Sequence, residues 1–114
     1  MNSKANSIVL IGMPGAGKST LGILLAKELG TGFVDTDVAI QVREGKTLQE
    51  ILDASDYMNL RKIEEQVLLS EDIANKVVAT GGSAAYSTVG MARLKENATL
   101  VFLDVPLEEL EKRI

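Results

Sequence analysis

The sequence predicts a single α/β domain with a mainly parallel sheet between two layers of helices. Short apolar runs alternate along the chain with longer segments whose apolar residues recur at helical spacing. A glycine-rich turn joins the first run to the first of these segments. Of the 114 residues, 46% are hydrophobic, which is enough to form one buried core. A chain of this length is too short to form two domains. Because strands that alternate with helices form right-handed βαβ units, the expected fold has three layers, α/β/α.

The first half of the chain supplies two strands and their helices. Ile8–Ile11 is a β-rich run bounded by glycine, typical of a strand covered on both faces. Leu21–Leu29 has leucines at helical spacing and stops at Gly30, a common helix terminator. Phe33–Val34 predicts a second strand, and a helix over Val38–Arg43 follows it.

The second half predicts the rest of the sheet. Its elements are a short helix begun by a capping box of Thr47 and Glu50, a helix over Tyr57–Ala74, a strand over Val77–Thr80, a helix over Val89–Lys95 and a strand over Leu100–Val105. A last helix begins at Pro106, and its apolar stripe reaches Ile114 without a residue that ends a helix. Since four strands also leave one sheet edge open, we expect residues 1–114 to be the N-terminal part of a longer protein.

Composition excludes several kinds of chemistry. The sequence contains no cysteine, histidine or tryptophan, so disulfides, Cys/His zinc sites, thiol nucleophiles and histidine acid–base catalysis are ruled out. The net charge of −4 argues against nucleic acid or an anionic membrane as a partner. No apolar stretch reaches the roughly 18 residues that cross a bilayer, and the polar N-terminus does not resemble a signal peptide. We therefore expect a cytoplasmic protein that uses carboxylates, hydroxyls, Lys, Arg and backbone amides.

The strongest motif is Gly12–Ser19, an unbroken G-x-x-x-x-G-K-[ST] sequence between the first strand and the first helix. Its glycines allow backbone N–H groups to approach phosphate oxygens, and the helix adds its N-terminal amides and dipole. Lys18 is expected to reach the β- and γ-phosphates, and the Ser19 hydroxyl to bind Mg²⁺. The predicted nucleotide-binding residues are Gly12, Gly15, Ala16, Gly17, Lys18, Ser19 and Thr20.

Two aspartates, Asp35 and Asp37, directly follow the second strand. Residues two apart in an extended segment point to the same side, so both carboxylates can face one cleft at the carboxyl end of the sheet. One carboxylate would hold Mg²⁺ through water while the other meets the hydroxyl of an acceptor. Helix capping is the alternative role for this pair, because aspartate is favoured just before a helix.

Two further features are less specific. Arg61 precedes Glu64 and Glu65 by three and four residues, which fits either a surface ion pair or a guanidinium oriented to bind an anionic substrate group. Gly81 and Gly82 follow the third strand, where glycine lets a ligand approach the backbone and leaves amides for an oxyanion. An ordinary turn would also explain these glycines.

Taken in this order, the four features resemble the shikimate kinase family of P-loop small-molecule kinases. The resemblance rests on residues 12–20, 33–37, 61–65 and 78–82, and it extends over roughly the N-terminal two-thirds of a typical member. It implies a P-loop NTPase-like sheet of order 2-3-1-4-5, whose fifth strand is missing here. It also implies transfer of the ATP γ-phosphate to the 3-hydroxyl of shikimate, in aromatic amino acid biosynthesis, by a monomer.

The resemblance assigns roles to individual residues. Ser19 would ligate Mg²⁺, assisted through water by Asp35. The catalytic residues would be Lys18 and Asp37, with Asp37 positioning or deprotonating the attacking hydroxyl. The acceptor-binding residues would be Asp37, Arg61, Gly81 and Gly82. Of these, Gly82 would donate a backbone amide, and Arg61 would bind the carboxylate of shikimate.

Three departures bear on the acceptor and on activity. Ser83 stands where the family commonly has a third glycine, and Leu60 stands where it usually has phenylalanine before the arginine. The family's lid, adenine-binding loop and further substrate-binding arginine have no counterpart in this chain. We therefore expect the 114 residues by themselves to turn over slowly or not at all.

Other functions remain open from the sequence. A P-loop kinase for another small hydroxylated acid or for a nucleoside monophosphate shares most of these features. A GTPase-type switch fits less well, because Asn75–Val78 lacks the final aspartate of the N-K-x-D guanine motif and precedes a strand. A non-catalytic nucleotide-binding domain would keep the phosphate loop without turnover.

Overall fold

The computed structural model describes residues 7–12, 17–81 and 84–103. Strands and helices alternate through most of this region, as the sequence predicts. The elements are β1 (Ile8–Gly12), α1 (Lys18–Leu29), β2 (Gly32–Asp35), α2 (Thr36–Glu44), α3 (Leu48–Ala54), α4 (Tyr57–Ser70), β3 (Lys76–Ala79), a 3₁₀ helix (Ala84–Tyr86), α5 (Thr88–Asn97) and β4 (Thr99–Leu103). The predicted helix from Pro106 lies outside the described residues.

The four strands form one parallel sheet in the order β2-β3-β1-β4. Val9 of β1 is in register with Val78 of β3 on one side and with Leu100 of β4 on the other. This order confirms the described part of the expected 2-3-1-4-5 arrangement. Because the strands are parallel, their carboxyl ends meet at one edge of the sheet, where the predicted site residues follow β1, β2 and β3.

Helices cover both faces of the sheet, which confirms the three-layer fold. Alternate residues of β1 explain why: Val9 and Ile11 pack with α4 and α5, whereas Leu10 packs against α1. Val9 and Val78 are both fully buried. Burial of each such side chain stabilises the fold by about 1.5–3 kcal/mol, so the sheet provides a rigid platform for the residues at its edge.

A second, smaller core joins α2, α3 and α4. Ile40 of α2, Ile51 of α3 and two residues of α4, Ile63 and Val67, form this cluster. It fixes α4, which carries Arg61, relative to α2, which carries Asp37. The capping box predicted at the start of α3 is present: the Thr47 hydroxyl accepts from the Glu50 amide at 3.1 Å, and the Glu50 carboxylate accepts from the Thr47 amide at 3.0 Å.

Several predicted boundaries differ from the structure. The helix predicted over Tyr57–Ala74 ends at Ser70 because the chain becomes extended at Glu71 and carries Ile73 into the main core. Arg93 of α5 binds carbonyl groups at and just beyond the end of α4, donating to Leu68 O and Glu71 O at 2.8 Å each. The helix predicted from Val38 begins two residues earlier, since the Asp35 carboxylate caps it. The 3₁₀ helix was not predicted, because three residues show no hydrophobic period.

Within residues 7–12, 17–81 and 84–103, no helix combines the length and the apolar character that crossing a membrane requires.

Candidate active site

The phosphate loop is framed by two glycines that the backbone path requires. Gly12 ends β1, and a Cβ there would overlap the Leu103 carbonyl oxygen of the neighbouring strand. Gly17 directly precedes α1 as its N-cap and has φ of 82°, a conformation that favours glycine. Gly15 and Ala16 lie outside the described residues. No side chain caps α1 among the residues described, and its first turn has no acidic residue, so this helix end suits an external anion.

Lys18 is the first residue of α1, and its side chain turns back toward β1. The Nζ atom donates a hydrogen bond to Gly12 O at 2.7 Å, and the residue is only 8% exposed. Burial lowers the pKa of the Lys18 ammonium, while the negative charges of Asp37 and Asp35 oppose this shift. The ammonium is therefore held at the loop, next to both aspartates.

Asp35 caps α2, one of the two roles that the sequence left open, and also binds a side chain of α1. Its Oδ2 accepts a hydrogen bond from Ser19 Oγ at 2.6 Å, which joins the end of β2 to the start of α1. Its Oδ1 caps α2 by accepting from the amides of Asp37 at 2.9 Å and Val38 at 3.4 Å. Capping thus fixes the carboxylate beside the Ser19 hydroxyl.

The Ser19 and Asp35 pair fits Mg²⁺. This ion prefers oxygen ligands, keeps several waters and takes other ligands from substrate phosphates. In the part of the chain that the structure describes, no group of three or more acidic side chains is arranged to hold a metal ion. The Ser19 hydroxyl and the Asp35 carboxylate supply two oxygen donors, which suits a cation whose other ligands are phosphates and waters.

Asp37 lies beside Gly81, where β3 has just ended. A Cβ at Gly81 would overlap the Asp37 Oδ1 and Glu64 Oε2 atoms, so the absence of a side chain lets both carboxylates approach the backbone. Burial is the main cause that raises the pKa of the Asp37 carboxyl; the Asp35 charge adds to it and Lys18 opposes it. The Gly81 amide is not left for an oxyanion as we expected, because it donates to Thr36 Oγ1 at 3.1 Å. Gly82 lies outside the described residues.

Arg61 lies on α4, at a cavity of about 210 Å³ that Glu64, Glu65 and Tyr86 also line. Glu65 accepts a hydrogen bond from Ser87 Oγ at 2.5 Å. Two tyrosines are aromatic neighbours of Arg61: its Cζ atom lies 4.7 Å from the ring centre of Tyr57 and 4.8 Å from that of Tyr86. Its Nε is buried without a hydrogen-bond partner among the described residues.

Sequence reasoning missed three residues of this region: Glu64 as a neighbour of Gly81, and the two tyrosines. Tyr57 could have been found, because it precedes Arg61 by four residues on one helix. Tyr86 gives no such signal, since 25 residues separate it from Arg61. The predicted residues themselves fall into two adjacent groups, with Lys18, Ser19, Asp35 and Asp37 in one and Arg61 in the other. Thr20 follows Ser19 on α1 and is exposed.

Comparison with known proteins gives the family. A family model described as shikimate kinase matches residues 14–114. The chain belongs to the shikimate kinase family. Among curated relatives, it is similar to a shikimate kinase of Clostridium botulinum strain Eklund 17B, with 39% identity over 109 residues. That alignment covers 92% of this chain and 64% of the relative, so the chain spans less than two thirds of the relative's length.

Solved structures of this family are similar to the fold. The crystal structure of the shikimate kinase from Aquifex aeolicus vf5 aligns with a TM-score of 0.78 and 38% identity. That alignment covers 90% of this chain and 62% of the Aquifex chain. A shikimate kinase from Acinetobacter baumannii, in complex with shikimate, aligns with a TM-score of 0.81 and 36% identity, over 97% of this chain and 65% of the Acinetobacter chain. The expected family and fold class are therefore confirmed.

Proposed function

We propose that this chain provides the phosphate-binding and acceptor-binding region of an enzyme that transfers the γ-phosphate of ATP to the 3-hydroxyl of shikimate. The observation that carries this proposal is the grouping of Lys18, the Ser19–Asp35 pair and Asp37 at one edge of the sheet. Membership of the shikimate kinase family and the relative solved with shikimate support the acceptor.

The phosphate end would bind ATP through backbone amides and one ammonium. The loop around Gly15 and Ala16, the glycines that frame it and the start of α1 with Thr20 would surround the phosphates. Lys18 would place its charge against the β- and γ-phosphates, where negative charge spreads during phosphoryl transfer. Since the ammonium is already held at the loop by Gly12 O, little movement is needed for this contact.

Ser19 and Asp35 would hold Mg²⁺ at the same end, with Asp35 acting through water. The ion, when bound, neutralises charge on the phosphate oxygens. The two side chains contribute preorganisation, because Asp35 is fixed by its second role as the cap of α2.

Asp37 would position the acceptor and take its proton. In the proposed step the 3-hydroxyl oxygen forms a bond to the γ-phosphorus, the bond from that phosphorus to the bridging oxygen of ADP breaks, and the hydroxyl proton moves to the Asp37 carboxylate. The raised pKa of Asp37 makes it a stronger base than an ordinary aspartate, which suits this transfer. Arg61 would bind the acceptor carboxylate, and Gly81 and Gly82 would line the path between the two groups.

The experiment is an ADP-release assay on the complete gene product that contains this sequence, with shikimate and a panel of other hydroxylated acids. We expect shikimate to give the highest kcat/KM and Asp37→Asn to lower it by about 10²–10⁴-fold, the usual range for loss of a general base. Asp53→Asn, at an exposed position of α3, is the matched control and should keep its activity. A higher kcat/KM with another acid would reassign the acceptor. If none of the acids caused ADP release, the proposed kinase activity would be refuted.

A further inference from the structure

The guanidinium of Arg61 lies over the faces of two aromatic rings. Its Cζ atom is 4.7 Å from the ring centre of Tyr57 and 4.8 Å from that of Tyr86, both well within the roughly 6 Å over which a cation is attracted to a ring face. Both tyrosines are largely exposed, 51% for Tyr57 and 72% for Tyr86. Because both tyrosines are exposed, their contact with Arg61 is not explained by packing in the core.

The two tyrosines belong to separate helices, and the backbone of each helix is anchored by its own contacts. Tyr57 opens α4, whose start is capped by the Asp56 carboxylate, which accepts from the Asn59 amide at 2.9 Å. Tyr86 ends the 3₁₀ helix, which is anchored on one side by the fully buried Ala84. On the other side Ser87 donates to Glu65 of α4 at 2.5 Å. Tyr86 is therefore tied to the helix that carries Arg61.

Contact with two ring faces leaves the N–H groups of a guanidinium available for a ligand. Aromatic faces attract the cation but do not use its N–H groups as a carboxylate in the guanidinium plane would. Consistent with this, the Arg61 Nε is buried without a hydrogen-bond partner among the described residues. The donors that remain lie in the plane, which is the geometry for bidentate binding of a carboxylate.

We propose that Tyr57 and Tyr86 act as an aromatic clamp that presents the in-plane edge of Arg61 to the carboxylate of the acceptor, with Tyr86 as the positioning residue contributed from outside α4. This inference rests on the proposed function of Arg61. The clamp makes affinity for the acceptor depend on ring faces and not on the tyrosine hydroxyl groups.

The test compares Tyr86→Leu with Tyr86→Phe in the complete gene product. Tyr86→Leu keeps apolar bulk but removes the ring face, so it should raise KM for shikimate by roughly 2- to 30-fold, the strength of a cation–π contact. Values of kcat and of KM for ATP should change less than KM for shikimate. Tyr86→Phe keeps the ring and should restore most of the affinity. Tyr57→Leu should shift the same parameter as Tyr86→Leu.

A double-mutant cycle separates the clamp from the proposed function. In an Arg61→Ala background, Tyr86→Leu should no longer change KM for shikimate, because the cation it orients is gone. If Arg61→Ala itself leaves that KM unchanged, the proposed role of Arg61 fails. If Arg61→Ala raises it but Tyr86→Leu and Tyr57→Leu do not, only the clamp is refuted.

Two further results would also overturn the clamp. One is a Tyr86→Phe variant as impaired as Tyr86→Leu, which would assign the effect to the hydroxyl. The other is an equal loss in kcat and in both KM values, which would indicate a general structural effect. Phe102→Leu on β4, an exposed aromatic residue outside the proposed site, is the matched control and should leave KM for shikimate unchanged.

Discussion

The site holds its two key cations in different ways. Lys18 is buried, donates to a backbone carbonyl and lies near two aspartates. Arg61 lies at a cavity, over two aromatic rings, with a buried nitrogen that lacks a partner among the described residues. The first arrangement fixes a charge in place, as the proposed contact with a phosphate requires. The second leaves N–H donors in the guanidinium plane, as the proposed contact with a carboxylate requires.

The difference also follows the chain. Lys18 is six residues from the carbonyl that it binds, so a local turn suffices to place it. Arg61 depends on Tyr86, which belongs to another segment, and on the core that fixes α4 against α2. Changes at the phosphate end should therefore act on catalysis, and changes around Arg61 should act mainly on the affinity for the acceptor.

The largest effect is expected at the phosphate end. Lys18→Ala removes the ammonium next to the phosphate loop and should lower kcat/KM by about 10²–10³-fold, the usual loss for one electrostatic contact to the transition state. ADP release by the complete gene product measures this. Lys27→Ala, an exposed lysine on the same helix, is the control. A Lys18→Ala variant within a few-fold of the original activity would contradict the assignment of catalysis to this end.

An intermediate effect is expected at Gly81, where the two halves of the site meet. The added Cβ of Gly81→Ala would displace the Asp37 and Glu64 carboxylates, and displacement of a reacting group by about 1 Å costs on the order of 10²-fold in rate. Stability should fall less, because the displaced atoms are the ends of flexible side chains. Parallel assays of activity and of urea denaturation test this.

Gly45→Ala is the control for Gly81→Ala. Gly45 has φ of 67° and no atom within 4 Å of an added Cβ, so alanine there is strained without a clash. It should lose about 1 kcal/mol of stability and keep its activity. If Gly81→Ala behaved in the same way as Gly45→Ala, close approach at Gly81 would have no role in the site.

The smallest effect concerns stability and pH. The folded-state pKa of Asp37 is raised above its unfolded value, so the folded protein binds more protons between the two pKa values. The free energy of unfolding should therefore fall as pH rises from about 3.9, the ordinary aspartate pKa, through the raised value. Above the raised pKa, the free energy of unfolding does not fall further from this titration.

Asp37→Asn removes this titration. The variant should gain stability relative to the original protein across that pH window, and should be the more stable of the two at neutral pH although it is less active. Urea denaturation of both proteins at a series of pH values measures the difference. A difference that is independent of pH, or that shrinks as pH rises, would show that Asp37 is not destabilised by its surroundings.

Local sequence patterns predicted most of the fold. The order of strands and helices along the chain and the capping box of α3 are confirmed. The order of the strands within the described sheet is also confirmed, but it was implied by the family resemblance. The predicted end of α4 was wrong, and Arg93 of the distant α5 binds the carbonyl groups there. The predicted start of α2 was wrong for a local reason, the cap that Asp35 provides. The predicted role of the Gly81 amide failed because Thr36, distant in the chain, accepts its hydrogen bond.

The sequence by itself determined the phosphate-loop motif and the pair of aspartates after β2, because each depends on residue types at short, fixed spacing along one segment. It also determined the family, because four such segments follow one another in the family's order. Only the tertiary structure decided that Tyr86 lies at Arg61 and that Asp37 and Glu64 lie at Gly81. These neighbours come from α2, α4 and the segment after β3, and parallel strands bring these together through long connections whose contacts leave no periodic trace in the sequence.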